Sequence, residues 1–274
     1  MRARVRLVAV IYLAALASGC INALTTIKLR PDGSGTIEQT LSMNAAAASQ
    51  VAEMAKGFGA AAPDANKDGP PELFTEKDMK EAATKYGEGV VFVSSRPIKT
   101  ADRVGRVAIY QFDDVTKLRI DQKPQTGDMP GASSSKEKED VLFRFAKTPS
   151  GTSQLTVVFP NDKLNDAHKQ ATTGEDGKKK AIEPGQLEMM KKLFDGLKVA
   201  IDVDVLGTIV KTNSPYVQGS RVTLLEMDFS QLLANDELLA RIGEPGSVEE
   251  AKNLLKDVKG FKVNLDREVT IEFR

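Results

Sequence analysis

Two stretches of the chain alternate strictly between apolar and polar side chains. In one, Leu197, Val199, Ile201, Val203 and Val205 interleave with Lys198, Ala200, Asp202 and Asp204. In the other, Val269, Ile271 and Phe273 interleave with Glu268, Thr270 and Glu272. Successive side chains of a strand point to opposite faces, so a period of two predicts strands with one dry and one wet face. Earlier, Ile27 and Leu29 precede Pro31-Asp32-Gly33-Ser34-Gly35, and Ile37, Leu41 and Met43 follow. Turn residues between apolar runs predict a hairpin. Further strands are predicted at 90–94, 104–112, 141–145, 155–159 and 221–229. Helix signals lie between them. Thr75 and Asp78 form a capping-box pattern, Met79, Ala82, Ala83 and Tyr86 share one face, and Gly87 stops the run. Ser247 and Glu250 begin a second helix carrying Val248, Ala251, Leu255 and Val258, stopped by Gly260. Leu187, Met190, Phe194 and Leu197 mark a third, and softer signals lie at 45–56 and 236–242. Helices do not alternate regularly with strands. The expected class is therefore α+β, a curved, mainly antiparallel sheet of about eight strands covered on one side by helices.

The N-terminus follows a different pattern. Arg2, Arg4 and Arg6 precede an apolar run from Leu7 to Leu16, followed by Ala17-Ser18-Gly19-Cys20. A basic start, a short apolar segment and small residues make a secretory signal. The cysteine after Gly19 makes it resemble a bacterial lipoprotein signal, with residues 1–19 removed and Cys20 carrying the acyl chains. The apolar run falls well short of the roughly 20 residues that cross a bilayer. Cys20 is the only cysteine, so no internal disulfide forms, and lipidation accounts for an odd thiol in an exported chain. The full chain carries 38 basic and 38 acidic residues, and cleavage after Gly19 leaves 35 against 38, a formal charge of −3. That balance argues against nucleic acid as a partner and against a broad electrostatic hold on anionic lipid. Membrane attachment then falls to the acyl chains on Cys20, since two or more chains hold stably where one does not.

The expected organisation is one envelope domain over residues 20–274, with long polar loops at 57–72, 122–138 and 161–183. Candidate chemistry within it is sparse. Asp64-Ala65-Asn66-Lys67-Asp68-Gly69 matches the first half of an EF-hand calcium loop, but Thr75 stands where the bidentate glutamate is required. A solvated turn explains it better. His168, the only histidine, lies in a polar loop with no nucleophile setting nearby, and one histidine without a free thiol makes no zinc site. Lys178-Lys179-Lys180 is diluted by Glu175, Asp176 and Glu183. Asp202 and Asp204 share the polar face of a strand, where alternating charge is what any solvated face shows. Leu187, Met189, Met190, Leu193 and Phe194 form a methionine-containing stripe. It reads first as core and otherwise as a flexible wall, with Leu187, Met190 and Phe194 lining an apolar ligand cavity. No catalytic residue, metal or cofactor is expected.

Two segments carry a family resemblance. Residues 207–213, Gly-Thr-Ile-Val-Lys-Thr-Asn, precede residues 218–224, Gln-Gly-Ser-Arg-Val-Thr-Leu. Together with the Pro31–Thr36 turn, they resemble LppM-type domains of bacterial lipoproteins, where a strand leads through a Thr-Asn turn into a second strand. The resemblance implies a curved sheet closed by helices, sometimes linked to lipid binding, and assigns no binding residue. The resulting expectation is a lipid-anchored, non-enzymatic envelope domain binding an apolar ligand or lipid at the membrane surface. The alternative is an interaction or assembly factor that meets an envelope protein partner through a surface patch. Ile21 follows the cysteine where aspartate would mark inner-membrane retention, which favours the outer membrane facing the periplasm.

Overall fold

A computed structural model describes residues 21–49, 74–121, 140–159, 196–234, 258–264 and 266–274. Thirteen strands fall within them: β1 (Asn22–Leu29), β2 (Gly35–Asn44), β3 (Val91–Lys99), β4 (Arg103–Phe112), β5 (Arg119–Asp121), β6 (Asp140–Lys147), β7 (Ser153–Val158), β8 (Lys198–Val205), β9 (Ile209–Thr212), β10 (Val217–Gln218), β11 (Arg221–Asp228), β12 (Phe261–Val263) and β13 (Glu268–Phe273). Two short helices accompany them, α1 (Glu76–Ala82) and α2 (Phe229–Leu233), with a further helical turn at 45–49. The strands form two sheets. The main sheet runs β10-β11-β8-β1-β2-β4-β3, with β12 beside β11, and the second runs β5-β6-β7-β13-β9.

The expected helix-covered α+β fold is therefore wrong. Strands make up 58% of the described residues and helices 15%. What covers the dry face of the main sheet is chiefly a second sheet. Ile27, Leu29, Ile37, Val203 and Phe112 of the first belong to one buried cluster with Phe143, Leu155, Val157, Ile271 and Phe273 of the second. The predicted strands are present, but they divide between two layers. Alternation fixes which side chains face inward and is silent on which sheet a strand joins.

The main sheet is antiparallel except at its centre. There β1 pairs in parallel with β8, Asn22 opposite Lys198 and Leu29 opposite Val205. On its other side β1 forms the predicted hairpin with β2, Ile27 opposite Ile37. The hairpin turn is closed by Asp32, whose carboxylate accepts from the Ser34 backbone N–H at 2.9 Å and its hydroxyl at 2.7 Å. Both bonds hold the Asp32 carboxyl below its ordinary pKa. Immediately after the turn, Gly35 is dictated by space. A Cβ there would lie 2.1 Å from the Lys28 carbonyl oxygen and 2.7 Å from the Phe112 ring.

Helix α1 starts where the sequence predicts. The Thr75 side chain accepts from the Asp78 N–H, and the Asp78 carboxylate accepts from the Thr75 N–H at 2.8 Å. The helix runs into a 3-10 turn, Ala83–Tyr86, and ends at Gly87. Met79, Ala82, Ala83 and Tyr86 are all buried, as their shared face requires. A buried arginine ties this element down: Arg106 Nε donates to the Phe74 carbonyl at 2.9 Å and Nη1 to Ser95 Oγ at 2.8 Å. The helices predicted around Leu187–Leu197 and after Ser247, and the three polar loops, lie outside the described residues.

The two sheets are joined at one end of the main sheet, where β1 finishes. Ser153 Oγ donates to the Pro31 carbonyl at 2.7 Å. The Val115 N–H reaches the Gly33 carbonyl at 2.9 Å. The other end, where β1 begins, is the end nearest Cys20 in sequence.

Candidate functional site

That starting end carries a groove of about 500 Å³ built from β8, β11, β12 and their flanks, where charged side chains meet an apolar surface that includes Val258 and Phe261. Lys198 opens β8, Glu226 and Asp228 close β11, Lys259 lies in the turn before β12, and Lys262 lies within β12. The register brings them together. Lys198 stands opposite Asp228, and Lys262 opposite Glu226, on the wet face of the sheet. Glu226 accepts from both lysines. Lys198 Nζ reaches Oε1 at 3.0 Å, and Lys262 Nζ reaches Oε2 at 2.7 Å. The bond from Lys262, joined by that from Lys198, holds the Glu226 carboxyl below its ordinary pKa, against the opposing effect of burial. The turn that forms the groove wall needs Gly260, whose φ is +79° and whose added Cβ would lie 2.9 Å from Asp228 Cβ. The Gly260 carbonyl accepts from the Asp228 N–H at 2.8 Å, which fixes the wall to β11.

A second polar feature lies on the dry face. Thr25 and Gln39 are cross-strand partners there. The Tyr110 hydroxyl donates to the Met79 carbonyl at 3.0 Å and lies 3.4 Å from Gln39 Oε1. The Tyr86 ring packs against Tyr110 with centroids 4.9 Å apart, and its buried hydroxyl has no hydrogen-bond partner among the described residues.

Of the residues singled out in the sequence, Asp202 and Asp204 do share a face, with different partners. Asp204 accepts from Ser220 Oγ at 2.7 Å and from Arg221 Nη2 at 3.4 Å. Asp202 stands opposite Thr223. Burial raises its pKa, partly offset by a bond from Thr223 and by Arg221. The two form no shared acid–base pair. Gly19, Cys20, the 64–72 loop, His168, Lys178 to Lys180, and Leu187, Met190 and Phe194 lie outside the described residues. Among the described residues no group of three or more potential ligands could hold a metal ion, and no helix is long and apolar enough to cross a membrane. The groove was missed because lysines and acids on a strand face read as an ordinary solvated surface. Tyr86 shares the helix face of Met79, Ala82 and Ala83 in the sequence pattern, which holds no signal that its hydroxyl lacks a partner.

The resembling segments separate in space. β9 pairs with β13 in the second sheet, whereas β11 pairs with β8 in the main sheet. No family model matches the chain, and no curated protein matches it. Among solved structures it is similar to the NMR structure of the folded domain of LppM from Mycobacterium tuberculosis. That likeness has 11% identity and a TM-score of 0.31, and covers 76% of this chain and 82% of that one.

Proposed function

We propose that this chain is a lipid-anchored, non-enzymatic domain of a bacterial envelope that binds lipid or an apolar ligand at the membrane surface. The outer membrane, facing the periplasm, is the site we favour. The observation that carries the reading is the position of the charged groove. Lys198 is the parallel partner of Asn22, and its N–H donates to the Ile21 carbonyl at 2.9 Å. Asn22 is two residue steps from Cys20, a reach of at most about 7 Å. An acylated Cys20 would hold the groove against the headgroup layer, where Lys198, Lys259 and Lys262 meet phosphate and Glu226 and Asp228 meet amines. The test is mass spectrometry of lipids that co-purify with the detergent-extracted full chain. A Lys198→Glu/Lys259→Glu/Lys262→Glu variant is expected to lose most of that lipid. Equal lipid in both, or none beyond the acyl chains on Cys20, would overturn the reading.

A second reading, docking of an envelope protein partner, draws on Val91 and Val93, 55% and 53% exposed on the outermost strand of the main sheet. A bulge at Val93 and Pro97 within β3 discourage strand addition there, so a partner would meet side chains rather than backbone. Photocrosslinking from position 91 in cells tests it, and recovery of no protein adduct would count against it.

A further inference from the structure

β11 is flanked on one side by β8 from Arg221 to Asp228, and on the other by two short strands in succession. β10 pairs with Arg221 and Val222, and β12 with Leu225, Glu226 and Met227. Thr223 and Leu224 fall in the gap between them. The same two residues hold the bulge in β11, where the register against β8 steps from Thr223 opposite Asp202 to Leu225 opposite Ile201. That step decides the groove. A regular ladder would set Glu226 opposite Val199 and Asp228 opposite Leu197, on the dry face, because one residue of slip turns every later side chain over. With Leu224 as the extra residue, Asp228 stands opposite Lys198, and Glu226 meets Lys198 and Lys262 on the wet face.

A bulge in such a gap leaves backbone carbonyls without a ladder partner, and a buried carbonyl requires one. Asn264, one residue beyond β12 and 8% exposed, satisfies two of them. Its Nδ2 donates to the Thr223 carbonyl at 2.8 Å and to the Leu224 carbonyl at 2.9 Å. Its Oδ1 accepts from Ser214 Oγ at 3.0 Å, which fixes the orientation of the amide. Ser214 is held in turn from the second sheet. Its neighbour Asn213 accepts from the Thr270 N–H at 2.8 Å and donates to the Glu268 carbonyl at 3.0 Å, both in β13. Tyr216, which lines the groove, takes the Thr223 N–H on its carbonyl at 3.0 Å.

We propose that Asn264 is the positioning residue of the groove: by satisfying both carbonyls of the bulge it holds the extra residue at Leu224, and so keeps Glu226 between Lys198 and Lys262. The use of that arrangement to meet headgroups rests on the lipid reading above; the pinning itself does not. Asn264→Ala leaves the two carbonyls bare and frees the bulge to move along β11.

The experiment follows the Glu226 carboxyl by carbon-13 NMR through a pH titration of the full chain in detergent micelles, with Glu226→Gln identifying its signal. In the wild type the bonds from Lys262 and Lys198 hold that carboxyl below its ordinary pKa of 4.5. In Asn264→Ala the pKa is expected to rise toward 4.5, and co-purifying lipid to fall as in the triple lysine variant. Deleting Leu224 in the same background removes the bulge, and regular alternation then points Glu226 outward, so the low value is expected to return. An unchanged Glu226 in a folded Asn264→Ala chain overturns the positioning role. So does a shift that the deletion fails to reverse, which general loosening would give. Urea unfolding checks the fold. If Asn264→Ala does not fold, Ser214→Ala keeps the amide and loses the bond that orients it, and no upward shift there overturns the proposal. A shifted Glu226 with lipid at the wild-type level leaves the positioning role standing and overturns the lipid reading of the groove.

Discussion

The two ends of the main sheet are built from the same strands and differ in what they do with their dry face. At the joined end Leu29, Phe112, Val205 and Phe273 are at most 2% exposed, and the second sheet closes over them. At the starting end Ala23, Met227 and Val263 are only partly buried, and charged side chains gather around Glu226. Buried Leu41 and Val199 continue the core into the starting end, so what distinguishes that end is the interruption of its dry face by Ala23, Met227 and Val263 beside the charged groups proposed to meet headgroups. A binding region that must admit a ligand is drawn from the less tightly packed part of a fold.

Truncation should expose this contrast most directly. Phe273→Ala is expected to lose about 3–5 kcal/mol of unfolding free energy, since it empties a fully buried position between the sheets. Met227→Ala should lose at most about 2 kcal/mol. Urea titrations of both variants decide the matter, and equal losses would erase the distinction. Glycine substitutions give a second comparison. Gly35→Ala drives a methyl into the Lys28 carbonyl and the Phe112 ring, for an expected loss of about 3 kcal/mol. Gly260→Ala meets left-handed backbone strain and crowds Asp228 Cβ and the Gln231 side chain, for about 2 kcal/mol. Thr75→Ala removes the cap of α1 and should cost about 1 kcal/mol, read from the same unfolding curves.

The smallest expected effect depends on pH. Burial raises the Asp202 pKa above its ordinary 3.8. Below that ordinary value both folded and unfolded chains are protonated, and the group makes no difference. Between that value and the higher folded pKa the unfolded chain ionises while the native carboxyl keeps its proton, so stability falls with rising pH and then levels off. Asp202→Asn should therefore stabilise the protein at neutral pH, with the gain vanishing as pH falls below about 4. Unfolding midpoints measured at both pH values check the sign, and a gain that persists in acid would refute it.

Much of the strand content was legible because one face of each long strand is dry. Val199 to Val205 and Val269 to Phe273 declare their inward residues by alternation, and both are buried as read. The capping box at Thr75 was legible because its chemistry is local. The layering was not. β9 follows β8 closely in sequence and leaves for the other sheet, a choice set by its pairing with β13 rather than by its own four residues. β5, β10 and β12 have three, two and three residues, too few to display a period. The groove depends on a register shift in β11 between Thr223 and Leu225, which keeps Leu225 and Met227 inward and Glu226 outward. No spacing rule places Glu226 between Lys198 and Lys262 unless that bulge is known.

The parallel pairing of β1 with β8 has a consequence for how the chain is made. β1 and β2 can close their hairpin as soon as both have emerged, because their turn is short. The opposite side of β1 must then wait for Lys198 to Val205, while nearly all of the intervening chain is delivered. During that interval the central strand of the finished sheet is an open edge, with Ile27 and Leu29 on one face. Closing so long a loop late makes assembly slow, and an unpaired apolar strand is a template for wrong partners. A chain secured early at its N-terminus would pass that interval held at a surface rather than free to meet another copy of itself.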